Sequence, residues 1–420
     1  MHESPADPGS YPAPRIPLFP VLSSRTFGAS GPGAPSVLDS KWVLPLTYGR
    51  MAIALALREL GVTPGDRVLL PSYHCLSMVD PVLHAGAEPV FYRLHRDGSV
   101  NLDDVRSRIG PRTRALVVVH YFGFPQDMEA VCALCADSRL PLIEDCAHAM
   151  FGSFRGSALG SFGDYAVASP MKFYPILDGG LLTSARRPLD GIRLTGLGPL
   201  FSLRASTILI ERSLEYRRLR VAGLLLAVPL WLKSAAVAVV KRLTPGARDR
   251  WGPSVGERSS GETGDFDPRW VDRRMSWTSR VVMRRSSRSR IVDLRRRHYA
   301  YLLDRLSGLR GAHPLRPELP EGVVPYLFPL VVEDPARVFP RLKRKGVPIT
   351  RFGEFLSERV SFEEHAEAAA LSRTVLQFPC HQELEPEELA WMADTIRAVL
   401  LEEEREGGTV EPAVQGGRSS

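Results

Sequence analysis

The chain has 420 residues, a 44% hydrophobic share and a net charge of +7, with a pI near 9.3. That length suits roughly two or three structural units around a real core. The basic balance favours anionic ligands in general. No zinc-finger spacing, RNP pattern or helix-turn-helix points to nucleic acid. The five cysteines, Cys75, Cys132, Cys135, Cys146 and Cys380, are odd in number and spread out. They speak for a reducing compartment and against a disulfide framework. Cys132 and Cys135 fall in a helical stretch with no second pair to complete a zinc site, so they read as structural and no metal is expected. Residues 1–36 lack the apolar run of a signal peptide. The expected location is the cytoplasm.

Residues 1–40 are rich in Pro, Gly and Ser and read as irregular. Tyr48 to Gly61 has helical apolar spacing, with Gly61 as the C-terminal cap. Gly49 opens this helix, and free N–H groups there would suit a phosphate. Short strands follow at Arg67–Leu70, Glu88–Tyr92, Ala115–Tyr121 and Pro141–Glu144. Helices are expected over Ser77–Ala85 (with Pro81 near its start), Asp103–Ile109 and Met128–Asp137. This β-α-β order predicts an α/β fold with a mostly parallel central sheet covered by helices. Ligands of such sheets gather beyond the carboxyl ends of the strands. Ser72, Asp145 and Ser169 to Lys172 all fall at such ends.

Lys172 follows an apolar run, Tyr165 to Ala168, and precedes a turn-rich run with Pro175, Asp178, Gly179 and Gly180. A lysine on such a loop is often a solvated surface residue. Asp145, at the end of an earlier strand, gives it weight. A lysine and a carboxylate at two strand ends are what pyridoxal 5'-phosphate (PLP) requires. The lysine forms the Schiff base and the carboxylate keeps the pyridine nitrogen protonated. Glu144 points to the opposite face from Asp145, because neighbouring strand residues alternate. His120 and His381 read as core or loop histidines, Asp164 as a turn end, and Asp178 as shaping the turn before Gly179.

The order of motifs resembles the DegT/StrS-type PLP-dependent sugar-nucleotide aminotransferases, which are fold type I enzymes. The matching pieces are Gly49-Arg-Met-Ala-Ile-Ala-Leu, Gly65-Asp-Arg-Val-Leu-Leu-Pro-Ser72, Gly86-Ala-Glu-Pro-Val90 and Pro111-Arg-Thr-Arg-Ala115. Val119 to Met128, Ile143-Glu-Asp-Cys-Ala-His148, Gly160 to Asp164, Ser169-Pro-Met-Lys172, Asp178-Gly-Gly180 and Val375 to His381 continue the series. The resemblance spans about residues 46–185 and 285–400. It implies that Lys172 holds PLP and carries the proton, and that Asp145 pairs with the ring nitrogen. It implies that His148 lies near the ring's 3-oxygen, that Gly49, Arg50 and Met51 cradle the phosphate, and that the Ser169 hydroxyl assists. The loop from Pro71 to Cys75 would cover the ring face. Cys75 stands where the family often has an aromatic residue, so Tyr73 or His74 is expected to take that role. Asp272 stands where the family has Asn in a stretch that can reach a neighbouring subunit's phosphate, which implies a homodimer.

Residues 186–284 match the family poorly. Leu219 to Leu243 is strongly apolar but interrupted by Pro229 and Lys233. It reads as helices buried in the core or a dimer interface. Alternatively it lies on a membrane, with Arg217, Arg218, Arg220, Lys241 and Arg242 facing anionic headgroups. Residues 246–268 read as a polar loop. Arg280 to Arg297 holds eight arginines, read either as an anion patch or as a solvated helix face. The remainder predicts a smaller C-terminal α+β domain. Its helices are expected at Ile291–Leu306, Ala336–Arg344 and Pro386–Leu400. Its strands are expected at Tyr326–Val332, Val347–Thr350 and Thr374–Phe378. The expected division is an irregular segment 1–45, a large PLP-binding domain 46–285, a small domain 286–402 and a polar tail 403–420. The expected function is transfer of an amino group from an amino acid, glutamate above all, to a keto sugar carried on a nucleotide. The rival readings are another PLP reaction such as sugar dehydration, which Lys172 disfavours, and a non-catalytic or membrane-associated protein of the same fold.

Overall fold

The computed structural model describes residues 11–28, 34–219 and 266–407. The apolar stretch 219–243, apart from Leu219, lies outside them, as do most of the polar loop 246–268 and the tail beyond 407. Among the described residues no helix is long and apolar enough to cross a membrane.

The main sheet has seven strands: β1 (Trp42–Leu46), β2 (Arg67–Pro71), β3 (Glu88–Tyr92), β4 (Thr113–Val119), β5 (Leu142–Asp145), β8 (Tyr165–Ala168) and β9 (Gly180–Ser184). Two short strands, β6 (Ser153–Phe154) and β7 (Ser157–Ala158), form a separate hairpin. The order across the sheet is β1-β9-β8-β5-β4-β2-β3. Only β9 runs against the others: it is antiparallel to both β1 and β8, while the remaining pairs are parallel. Ala115 to Val119 of β4 are all buried, as expected of a strand covered on both faces.

The mostly parallel sheet agrees with the sequence. Strand β1, in contrast, begins inside or just after the segment expected to be irregular. Its Pro45 sits at the sheet edge, where a missing N–H costs no ladder bond. Helix α1 (Gly49–Glu59) is buried continuously from Met51 to Leu57 and packs on β9 and on α2 (Leu76–His84). Its alanines let the three elements approach closely. Pro81 lies inside α2 rather than at its start. Burial of Met78, Val79 and Val82 holds the helix despite the lost backbone bond. Helices α3 (Leu102–Arg108) and α4 (Met128–Ser138) are capped by Asn101 and Asp127, which accept from Asp104 N (3.0 Å) and Ala130 N (3.2 Å). All five cysteines are free thiols.

After α5 (Gly198–Glu215) and α6 (Trp277–Arg285) the chain enters α7 (Arg288–Leu306). A three-stranded antiparallel sheet follows, made of β10 (Ala312–Pro314), β11 (Leu327–Val332) and β12 (Val375–Pro379) in that order. It packs with α7, α8 (Pro335–Arg344), α9 (Ala366–Thr374) and α10 (Pro386–Gly407). Val347 to Thr350 forms no strand, only an isolated bridge between Thr350 and Gln377. The irregular segment 11–28 is not loose. Ile16 is buried, Arg15 N bonds to Gly346 O (2.9 Å), and Pro17 O accepts from His381 (2.9 Å).

Candidate active site

The parallel strands deliver their carboxyl ends to one edge of the sheet. Val119, Asp145 and Val167 are in register across β4, β5 and β8. Beyond these ends lie Ser72 to Cys75, His120, Asp145, Ser169 to Lys172 and, after β1, the start of α1. The expected co-location of Gly49, Asp145, Ser169 and Lys172 is therefore present.

Helix α1 starts without a side-chain cap on Tyr48. Met51 N is spent on Tyr48 O (3.1 Å). The Arg50 amide carries no protein hydrogen bond among the described residues, the Gly49 amide faces Gly179 across the isolated Tyr48–Gly179 bridge, and both sit at the positive end of the helix dipole. The Met51 side chain is wholly buried. The Arg50 guanidinium leans over the Tyr48 ring at 4.8 Å, and its buried Nε has no partner. A Cβ on Gly49 would stand 3.6 Å from Ser169 Cβ, so the Ser169 side chain borders the helix start. The buried Ser72 hydroxyl also has no partner. A helix start without a side-chain cap, the Ser169 side chain beside it and an unpaired arginine nitrogen fit a phosphate.

Lys172 closes a 3-10 turn (Pro170–Lys172) and is partly buried. Its Nζ lies 5.3 Å from the centre of the Tyr326 ring. Burial lowers its pKa, opposed by the nearby Cys75 and Asp145. The shift favours the neutral, nucleophilic form of the amine. Asp145 is buried, and one of its oxygens accepts from Ala147 N (2.8 Å). Burial raises its pKa, opposed by that bond, by Lys172 and by His120. Glu144 faces the other way, as expected. It accepts from the amides of Gly160 (3.0 Å), Phe162 (2.7 Å) and Gly163 (2.7 Å) and from His120 Nε2 (3.2 Å). Because His120 Nδ1 accepts from Gln126 N (3.2 Å), the ring proton sits on Nε2. His120, Glu144 and Cys146 bring potential metal-ligating atoms within 4.8 Å of one another. The His120 nitrogens and both Glu144 oxygens are already committed to these bonds.

His148 joins the site as a ring held among aromatics. It stacks on Tyr326 (4.7 Å) and Phe122 (5.9 Å) and meets Phe352 edge-on (4.9 Å). Burial holds its pKa well below the ordinary value, so it stays neutral. Phe122 adopts φ 58°, a left-handed conformation that is strained for a bulky residue. Its carbonyl accepts from Tyr326 N (2.8 Å), tying the aromatic wall to this loop.

His74 and Tyr73 are occupied elsewhere. The His74 ring stacks on Phe91 at 4.7 Å. Its Nδ1 donates to Pro71 O (3.1 Å) and Ser72 O (3.0 Å), and its Nε2 accepts from Ser357 N (3.1 Å). Tyr73 packs between Tyr121 (5.3 Å) and Phe352 (5.0 Å), and its carbonyl accepts from the Tyr121 hydroxyl. Both residues brace the 352–357 loop. Of the Pro71–Cys75 loop, Cys75 is the group close enough to Lys172 to influence it. Burial raises the Cys75 pKa, and its Sγ lies 3.0 Å from Ser77 Oγ, so it is a neutral thiol.

Asp272 is exposed and pairs with Arg58 at 3.0 Å. Its charge is thus met within the chain, although exposed pairs contribute little stability. Asp178 accepts from Ser276 N (2.6 Å), Ser276 Oγ (2.7 Å) and Ser279 Oγ (2.6 Å). It therefore anchors the start of α6 as well as shaping its own turn. Of the eight arginines between 280 and 297, Arg288 pairs with Asp39 (2.9 Å) and Arg290 with Glu383 (2.6 Å). Arg295 and Arg296 donate to backbone carbonyls. Tyr326, Phe352, Arg295 and Gln382 carry no local motif. Only the tertiary fold brings them to Lys172.

Burial lowers the pKa of His74 to about 4, and those of His148, His298, His365 and His381 in the same direction. The unfolded chain binds protons at these histidines below about pH 6.5, where the folded chain does not. Stability is therefore lost as pH falls below 6.5. For His74 alone the expected loss by pH 5 is about 2 kcal/mol. Urea midpoints at the two pH values measure it, and His74→Gln should flatten the dependence by about that amount.

An amine, a buried carboxylate and an uncapped helix start thus meet at one sheet edge, an arrangement that suits a phosphorylated carbonyl compound. The comparisons agree with that class. Residues 36–190 match the DegT/DnrJ/EryC1/StrS aminotransferase family. A UDP-N-acetyl-3-dehydro-alpha-D-glucosamine 3-aminotransferase of Acidithiobacillus ferrooxidans is 36% identical over 159 residues, covering 35% of this chain and 42% of the relative. A dTDP-4-dehydro-2,3,6-trideoxy-D-glucose 4-aminotransferase of Saccharopolyspora spinosa is 37% identical over 151 residues, 35% of this chain and 39% of the relative. The matched stretch thus spans about two fifths of these curated relatives. The fold as a whole is that of solved aminotransferases. TlmJ from Streptoalloteichus hindustanus superposes with TM-score 0.57 at 25% identity, over 86% of each chain. The putative sugar aminotransferase Spr1654 from Streptococcus pneumoniae gives 0.63 at 16% identity, over 94% of this chain and all (100%) of that one.

Proposed function

We propose that the chain is a PLP-dependent aminotransferase of the DegT/StrS type that aminates a keto sugar carried on a nucleotide, with glutamate as donor. The observation that carries this reading is the convergence of Lys172, Asp145, Ser169 and the open start of α1 on one sheet edge. The names of the relatives support the substrate class. When bound, PLP supplies the electron sink. Gly49, Arg50 and Ser169 would hold its phosphate, and Asp145 its pyridine nitrogen. Lys172, whose neutral form burial favours, acts as nucleophile and carries a proton on Nζ between donor and acceptor atoms. Tyr326, His148 and Cys75 enclose the amine and limit water. A homodimer and a cytoplasmic location with a peripheral membrane contact through 219–243 belong to the same reading. The free thiols and the basic flanks of that stretch support it.

The test is to incubate the purified protein with PLP, reduce it with borohydride and map the modified peptide. Label at Lys172 is expected, and label elsewhere or none would sink the reading. Asp145→Asn should keep the label but lower amine transfer from glutamate by at least about 100-fold, since an amide cannot stabilise a protonated ring nitrogen. Stopped-flow absorbance during that half-reaction measures it.

A further inference from the structure

Arg295 is wholly buried on α7. Among the described residues no carboxylate lies within ion-pair distance of it. Its guanidinium is instead solvated by dipoles. Nε donates to Gln382 Oε1 (3.1 Å), Nη1 to Pro325 O (3.2 Å) and Tyr326 O (2.9 Å), and Nη2 to Lys172 O (2.8 Å). The group lies 4.5 Å over the Phe173 ring. Gln382 adds a bond of its own, from Nε2 to Phe173 O (2.8 Å). Burial lowers the Arg295 pKa to about 10, so the side chain stays charged at neutral pH. A buried cation without a counter-ion is costly, and an apolar side chain would fill the same space more cheaply.

The bonds fall at two places that matter to one amine. Lys172 N and Phe173 N are already held by Ser169 O (3.1 Å) and Pro170 O (2.9 Å). Arg295 and Gln382 take the carbonyls of the same two residues, which fixes the lysine's main chain on both sides. The same guanidinium grips the carbonyl of Tyr326, whose ring lies under Lys172 Nζ. The clamp is itself braced. His298, one turn after Arg295, donates through Nδ1 to His381 O (3.1 Å), and His381 in turn donates to Pro17 O (2.9 Å).

We propose that Arg295, together with Gln382, is a positioning residue that fixes the direction of the Lys172 side chain against the Tyr326 ring. Through that geometry it sets the reactivity of Nζ. The inference rests on Lys172 being the reactive amine. A planar five-donor fork can span these acceptors, whereas a lysine at position 295 keeps the charge but cannot.

The test compares Arg295→Lys and Gln382→Leu, which both preserve net charge, with the wild type. Cofactor-free protein is labelled with trinitrobenzenesulfonate over a range of pH, and the Lys172 peptide is followed by mass spectrometry. Near-UV circular dichroism verifies folding. Both variants should shift the pH midpoint of Lys172 labelling. Both should lower kcat of the PLP-loaded enzyme by about 10- to 100-fold, with KM changed by less than about threefold. Folded variants with the wild-type midpoint and kcat would overturn the proposal. If Arg295→Lys does not fold, Gln382→Leu decides alone. If wild-type protein transfers no amine, the functional reading falls, while the labelling comparison still decides the positioning role.

Discussion

Lys172→Ala is expected to abolish amine transfer, with a loss of at least about 1,000-fold, and to remove the borohydride-fixed PLP. The protein should nevertheless fold. Among the described residues the Lys172 side chain makes no hydrogen bond or ion pair; burial works against its charge, and Asp145 and Cys75 only partly offset this. Removing it relieves a desolvated cation, so the melting temperature should stay level or rise slightly. Added ethylamine would restore part of the activity if the lysine acts as a proton carrier, because a free amine can enter the space left behind. Two measurements decide the matter: single-turnover absorbance with glutamate and a thermal melt. Retained turnover, or a collapse in melting temperature, would show that Lys172 is a structural residue.

Gly180→Ala is expected to destabilise the protein by about 3 kcal/mol. A Cβ at this position would meet Tyr48 C and O at 2.2 Å and Gly49 N at 2.7 Å. These are backbone atoms, so no side-chain rotation relieves the clash. Gly180 pairs with Leu46 in the β1–β9 ladder, and the neighbouring Gly179 N bonds to Thr47 O at 2.5 Å. The collision therefore falls on the turn that leads into α1. Urea unfolding gives the stability change. Phosphate affinity, read by competition with PLP, should weaken along with it, because the opening amides of the helix are displaced. Gly61→Ala is a fair control, with φ +68° but no atom within 4 Å of the added carbon.

The parallel strands were legible because their apolar runs and turn residues are local signals. The same holds for α1 and its glycine end, and for the lysine and aspartate at strand ends. Strand β1 was not legible, because Pro45 argues against a strand unless the strand lies at an edge, and edges are set by pairing with β9. The role of Pro81 was misjudged because packing of α2 outweighs local propensity. The exact cover of Lys172 was hidden for a stronger reason. Tyr326 and Arg295 lie more than a hundred residues from it in sequence. Nothing in the run of eight arginines distinguishes the one that is buried. His74 looked as suited to a ring face as any aromatic. Its commitments to Pro71, Ser72 and Ser357 depend on a loop nearly three hundred residues away.

Glu144 and Asp145, neighbours on β5, divide their work between the two faces of the sheet. Four donors converge on Glu144: three amides and the His120 ring. A slip of β5 by one residue would exchange the two side chains. The longer glutamate would then enter the pocket beside Lys172. The shorter aspartate would face donors placed for a side chain one carbon longer, leaving buried N–H groups unmet. Alternation of apolar residues alone discriminates weakly here, because Leu142 and Ile143 are both buried and similar in size. The dipeptide thus acts as an alignment key during folding: the chain that pairs its strands wrongly loses stability before it can lose activity.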